Sequence, residues 1–171
     1  MAYEYRDTYG YTYLSADHIA AELQPENPAE ARLQAGRLFL ERFRRMVDER
    51  RHVILETTLA GRGVERMIED LDAAGYTVRI AFVFLDSPAL CLERIQGRVE
   101  RGGHDVPRDD VVRRYGRSLN NFWWRYRHQV TRWHLYHNAG DNFQSVAVGE
   151  RQEIITLDEI LFERFIRALE R

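Results

Sequence analysis

The sequence contains no lysine: all 25 of its basic side chains are arginine. Schiff-base chemistry and any lysine-dependent phosphate site are therefore outside the reach of these residues. Cysteine is almost as scarce. Cys91 stands alone, so no intrachain disulfide can form, and in its apolar helical setting it reads as a small core residue in a reducing compartment. His52, His128 and His134 show no metal-ligand spacing with one another or with Cys91, so no zinc site is expected. Charge of one sign is lacking too: with 30% charged residues the formal net charge is only −2, which excludes a general polyanion binder and leaves only local basic patches. No apolar run approaches the roughly 20 residues that span a bilayer. The opening MAYEYRDTYGYTYL has neither the basic nor the apolar region of a secretion signal. A soluble, cytoplasmic chain with no membrane partner is expected.

What is present is regular. The 171 residues suit one domain spanning 1–171, with a core that needs no cross-links. YTYLS (11–15) reads as a strand and the stretch after Asp17 as a helix ending before the QPENP turn. From Ala29 to Glu49, Gly36, Phe39, Leu40, Phe43, Met46 and Val47 form one apolar helical stripe. HVILE (52–56) is a strand, VERMIEDLDAAG (64–75) a helix closed by Gly75, and TVRIAFVFL (77–85) a strand so apolar that cover on both faces is predicted. Ser87 and Pro88 start the next helix, and helical stretches follow over 108–132. WHLYHN, SVAVG and EIITL are strands, and Thr156-x-x-Glu159 predicts a capping box on the last helix. This order predicts an α/β fold of three layers with a mainly parallel sheet, in which ligands sit beyond the carboxyl ends of the strands.

The polar residues at those ends are the site candidates. Asp17 either caps its helix or serves as a general base toward a substrate hydroxyl. Glu56, with Thr57 and Thr58, closes an apolar strand, where a carboxylate needs a donor or an open edge; a hydroxyl-rich substrate supplies one. The interleaved aromatics and arginines of NNFWWRYRHQVTRWHLY match a nucleic-acid platform in composition, but Phe122, Tyr126 and Gln129-Val130 share a helical face that suits packed core, so no nucleic acid is expected. RGGHDVPRDDVVRRY carries the densest signal. Arg94, Arg98 and Arg101 fall at i, i+4 and i+7, and Arg113 and Arg114 return beyond a turn of Gly102, Gly103 and Pro107. The pattern is either a solvated basic face or a movable lid that closes on phosphate oxygens.

ADHIAAELQP, AGRLFLER, ETTLAGRG, AAGYTV, RIQGRVERGGHDVPRDDVVRRY and LYHNA, in that order from about residue 13 to 149, resemble the zeta toxin family in its zeta-toxin-like branch. The resemblance implies a P-loop-kinase-like domain that passes the γ-phosphate of ATP, with Mg²⁺, to the 3′-hydroxyl of a UDP-N-acetylamino sugar such as UDP-N-acetylglucosamine. By position it implies that Asp17 is the base, with Arg98 and Arg114 acting beside it in catalysis. Glu56, Thr57, Thr58, Arg62 and Asn138 would bind substrate. Arg94, Arg98, Arg101, His104, Arg113 and Arg114 would form the phosphate lid. Nucleotide, nucleotide sugar and an antitoxin-type protein are the implied partners, and no metal ligands are assigned.

The sequence departs from the family pattern in three places. Ser15 stands where an asparagine is usual, His137-Asn138-Ala139 stands where Asp-Asn-Ser is usual, and no G-x-x-x-x-G-K-[ST] loop occurs. Ten residues precede YTYLS, where the strand, loop and helix of the family would take roughly 30. The expectation is a chain inactive as a kinase by itself, with a non-catalytic nucleotide or nucleotide-sugar binding module, or an antitoxin-type partner-binding protein, as the alternatives.

Overall fold

The computed structural model describes residues 10–103, 105–138, 140, 142–150 and 153–170. They fall into two compact units, one up to Thr57 and one from Thr58 onward.

In the first unit, β1 (Thr12–Ser15) pairs in parallel with β2 (Val53–Glu56), from Thr12 opposite Val53 to Ser15 opposite Glu56. Helix α1 (Ala16–Leu23) begins on the residue after β1, and Ser15 caps it by accepting from the His18 N–H at 3.4 Å. Helix α2 starts at Arg32, not Ala29, because residues 27–31 are tied into turns by Glu30 N–H to Asn27 and Ala31 N–H to Pro28. Its buried stripe is Ala35, Phe39, Phe43 and Met46, narrower than expected, with Leu40 44% exposed. Asp48 ends the helix. Arg50 then takes a left-handed φ of 55°, and the Arg51 N–H reaches back to the Met46 carbonyl at 3.0 Å, a closure that glycine ordinarily makes.

The second unit is built on a sheet of order β3-β4-β5-β6. Strands β3 (Arg79–Phe84) and β4 (Arg132–Asn138) are parallel, with α4 (Pro88–Val99), α5 (Arg108–Trp124) and a 3₁₀ turn (Tyr126–His128) between them. Strands β5 (Phe143–Glu150) and β6 (Glu153–Thr156) complete it as antiparallel neighbours, because the connections at 139–142 and 151–152 are too short for a crossover. The α/β class predicted from the sequence is therefore present, with parallel pairing at β1–β2 and β3–β4 and an antiparallel C-terminal meander.

Helices α5 and α6 (Glu159–Leu169) cover one face of this sheet through aromatic packing. Phe82 stacks on Phe122 at 4.3 Å, and Phe165 meets Phe82, Phe84, Phe122 and Trp123 edge to face. Strand β3 does not have the two covered faces its sequence predicts. Phe82 and Phe84, on the face packed against Phe122 and Phe165, are buried, whereas Val83 on the opposite face is 40% exposed. The capping-box expectation is also corrected. Thr156 ends β6, and Asp158 caps α6 by accepting from the Leu161 N–H at 3.0 Å. Helix α3 (Gly63–Ala73) closes as predicted, through Gly75 at φ 76°.

Candidate functional site

In the first unit the polar residues gather where β1 and β2 end. Because Ser15 holds the cap, Asp17 is left in the first turn of α1, exposed and with no hydrogen-bond or ion-pair partner among the described residues. The capping role weighed for Asp17 is thus taken by Ser15, and the Asp17 side chain is exposed in the first turn of α1. Glu56 is exposed at the end of β2 and accepts a hydrogen bond from the Tyr13 phenol. Thr57 follows it, also exposed.

In the second unit the loop 58–62 is held by its carbonyls. Ser118 donates to the Thr58 carbonyl, Asn121 Nδ2 to that of Leu59 at 2.8 Å, and the Tyr126 hydroxyl to that of Gly61 at 2.7 Å. Leu59 is buried at a left-handed φ of 56°, and the Asn121 bond with its burial fixes a conformation that a leucine rarely adopts. Arg62 is exposed at the end of this loop. Ser118 and Asn121 were not singled out in the sequence, and Tyr126 was read only as a core residue. Their spacing of three and five residues, polar groups on a helix rich in buried apolar ones, is the signal that could have marked them.

The arginines are less free than a clamp requires. Arg94 Nη2 donates to the Asn138 carbonyl at 3.0 Å, which ties α4 to the end of β4. Arg98 is exposed on the last turn of α4, and Gly103 lies against its side chain. Arg101 does not continue the helical row, because α4 ends at Val99 and Arg101 lies in the turn after it. Arg113 and Arg114 both face Asp110 of their own helix, at 2.6 and 3.5 Å. The predicted lid residue His104 and the motif position Ala139 lie outside the described residues.

A further polar group stands at the ends of β3 and β4. His137 is buried and its Nε2 lies 3.2 Å from Asp86 Oδ2, with Arg164 Nη1 at 3.7 Å from the same oxygen. Asn138 Oδ1, Asp86 Oδ1 and His137 Nδ1 are buried without partners among the described residues. Elsewhere, burial pushes the Cys91 thiol up, partly offset by Arg94, so it is no thiolate nucleophile. Burial lowers the pKa of His134, whose ring stacks on Tyr136 at 3.9 Å. In the arginine–aromatic stretch, Phe122, Tyr126 and Val130 are buried, and the Arg127 guanidinium lies 3.9 Å over the Trp123 ring. These residues are core, as their helical spacing predicts.

The fold is shared with a chain solved in the characterisation of the PezAT chromosomal toxin-antitoxin system of Streptococcus pneumoniae. The likeness covers 96% of this chain and 70% of that one, with a TM-score of 0.63 at 14% identity. This places the architecture among P-loop-kinase-like α/β folds. Residues 5–148 match the Zeta toxin family, and the chain belongs to that family of kinase-like toxins. An uncharacterized protein of Haemophilus influenzae is 29% identical over 102 residues, which are 60% of this chain and 73% of that protein. No helix among the described residues is long and apolar enough to cross a membrane.

Kinases of this family use ATP and Mg²⁺. The residues present do not fit them. The chain has no lysine and no G-x-x-x-x-G-K-[ST] sequence. Loop 58–62 spends its carbonyls on α5 and the 3₁₀ turn and offers no row of converging N–H donors. Among the described residues no three His, Cys, Asp or Glu side chains gather as metal ligands.

Proposed function

We propose that this chain carries the acceptor side of a zeta-type phosphotransferase, with a UDP-N-acetylamino sugar as substrate. Asp17 is the observation that carries the reading: a carboxylate at a strand end, relieved of capping by Ser15 and exposed without a partner among the described residues. Such a group is placed to take the proton of a substrate hydroxyl. Glu56 and the two threonines after it bind the sugar, Arg62 and Asn138 add polar contacts, and Arg94, Arg98, Arg101, Arg113 and Arg114 supply positive charge for phosphate oxygens. His104 belongs to the same proposed set. The 171 residues by themselves are proposed not to phosphorylate the sugar, because their sequence holds no G-x-x-x-x-G-K-[ST] loop for the phosphates of ATP. The toxin-antitoxin context of the solved relative makes an antitoxin-type protein the partner class proposed for this chain.

The test joins a strand, phosphate loop and helix from a close relative ahead of Tyr11 and follows ATP-dependent phosphorylation of UDP-N-acetylglucosamine. Asp17→Asn should lower turnover about 10²–10⁴-fold with little change in substrate affinity. Glu56→Gln should weaken the sugar instead. Robust transfer by the unextended chain, or full turnover by Asp17→Asn in the completed one, overturns the assignment.

A further inference from the structure

We infer that Tyr13 is the positioning residue of Glu56, holding its carboxylate ready to accept a hydroxyl from a ligand. The inference rests on the reading of Glu56 as a sugar-binding residue. In the β1–β2 register Tyr13 lies opposite Ile54 and Ser15 opposite Glu56, so Tyr13, Ser15, Ile54 and Glu56 share one face of the strand pair. Tyr13 is two positions back along β1 from the residue facing Glu56. A phenol is long enough to cover that distance, and its hydroxyl donates to Glu56 Oε2.

The ring is itself supported. It meets the His18 ring edge to face at 6.4 Å, His18 Nε2 lies 3.5 Å from Glu22 Oε1, and Arg42 Nη1 of α2 lies 3.3 Å from Glu22 Oε2. A phenylalanine would make the same ring contact, so the hydroxyl has its effect on Glu56. An exposed glutamate at a strand end otherwise samples several rotamers, and ordering it on binding costs affinity. With Oε2 engaged by the phenol, the side chain is held ready and only Oε1 is left without a partner among the described residues. Oε1, with the remaining lone pair of Oε2, is then presented to a sugar hydroxyl in one fixed orientation.

The experiment uses the 171-residue chain, titrated calorimetrically with UDP-N-acetylglucosamine and with UDP. Tyr13→Phe should lower the affinity for the sugar nucleotide by about 3–10-fold and leave UDP binding unchanged. In a Glu56→Gln background the same substitution should have no further effect, since its action passes through the carboxylate. In parallel, the carboxyl ¹³C resonance of Glu56 is followed in glutamate-labelled protein and should move in Tyr13→Phe. If Glu56→Gln weakens the sugar and Tyr13→Phe does not, the positioning role is overturned while the reading of Glu56 stands. If Glu56→Gln leaves the sugar unchanged, the parent reading falls and the positioning role falls with it. An unmoved Glu56 resonance, or fully additive effects in the double variant, also overturns the positioning role.

Discussion

Ser15 and Asp17 sit two residues apart at the start of one short helix, and the structure gives them different work. Removing the Ser15 hydroxyl by Ser15→Ala deletes the cap bond to the His18 N–H. Such losses typically cost about 0.5–2 kcal/mol. The bond is long at 3.4 Å, which argues for the lower half of that range, whereas Ser15 is only 5% exposed, so water replaces the lost acceptor poorly. About 1 kcal/mol is the expected cost. Asp17→Asn removes only a charge from the first turn of α1, a helix-dipole interaction of about 0.3–1 kcal/mol at low salt that weakens further on an exposed, screened surface. Its expected cost in 0.15 M salt is ~0.3 kcal/mol. Urea unfolding followed by helical circular dichroism reads both, and Ser15→Asn, which keeps a capping oxygen, should recover most of the Ser15→Ala loss. If Asp17→Asn costs as much as Ser15→Ala, the carboxylate has a structural task in α1 and the case for it as a free base collapses.

Gly149→Ala should be among the most damaging single substitutions in the second unit. An added Cβ would stand 2.3 Å from Cε2 and Cζ2 of Trp133, which is fully buried, so a loss of at least about 1–3 kcal/mol in urea is expected, and an unchanged midpoint would refute the close approach. Arg114→Ala should weaken ADP binding to the full chain by ~10-fold or more if the guanidinium leaves Asp110 for phosphate, whereas unchanged calorimetric affinity would make it a solvated helix pair. His134 bears on pH. Burial holds its folded pKa below the unfolded value of about 6.5, so above that pH both states are neutral and nothing is lost. As pH falls through about 6.5 the unfolded chain binds the proton first, and stability drops until the folded ring protonates as well. Urea midpoints at pH 7.5 and 5.5 should therefore differ more for the native chain than for His134→Gln, and equal differences would refute the assignment.

The fold was legible wherever a local pattern decides the outcome. The Ser87–Pro88 start of α4, the Gly75 closure of α3 and the stripe of α2 each follow from residues within a turn or two of one another. Two misreadings share a cause. The run TVRIAFVFL has the composition of a strand covered twice, but composition cannot report which face of a sheet other elements cover, and Val83 is 40% exposed. Thr156 and Glu159 satisfy a capping-box spacing, yet the chain is still extended at Thr156, paired with Ala147 of β5, so the cap passes to Asp158. Cross-strand pairing won over a local signal in that case.

The proposed site rests on end-of-strand residues, whose partners the sequence did not show. Asp17, Glu56 and Asn138 were singled out because parallel strands are expected to deliver ligand groups at their carboxyl ends. What restrains each group comes from far along the sequence. Glu56 is reached by Tyr13 from 43 residues away, Leu59 by Asn121 from 62, and Asn138 by Arg94 from 44. The arginine row shows the same limit from the other side. Sequence spacing groups Arg94 with Arg98 and Arg101, but the structure commits Arg94 to a backbone carbonyl and leaves Arg101 beyond the helix. Arg113 and Arg114 share one aspartate, so any phosphate they bind must compete with Asp110 and must carry enough charge to win. A doubly charged terminal phosphate meets that condition better than the singly charged diester-like phosphate within a nucleotide chain. In the proposed phosphate role, the pairing with Asp110 would act as a filter on the anion, and it belongs to the helix that carries the arginines rather than to any separate element.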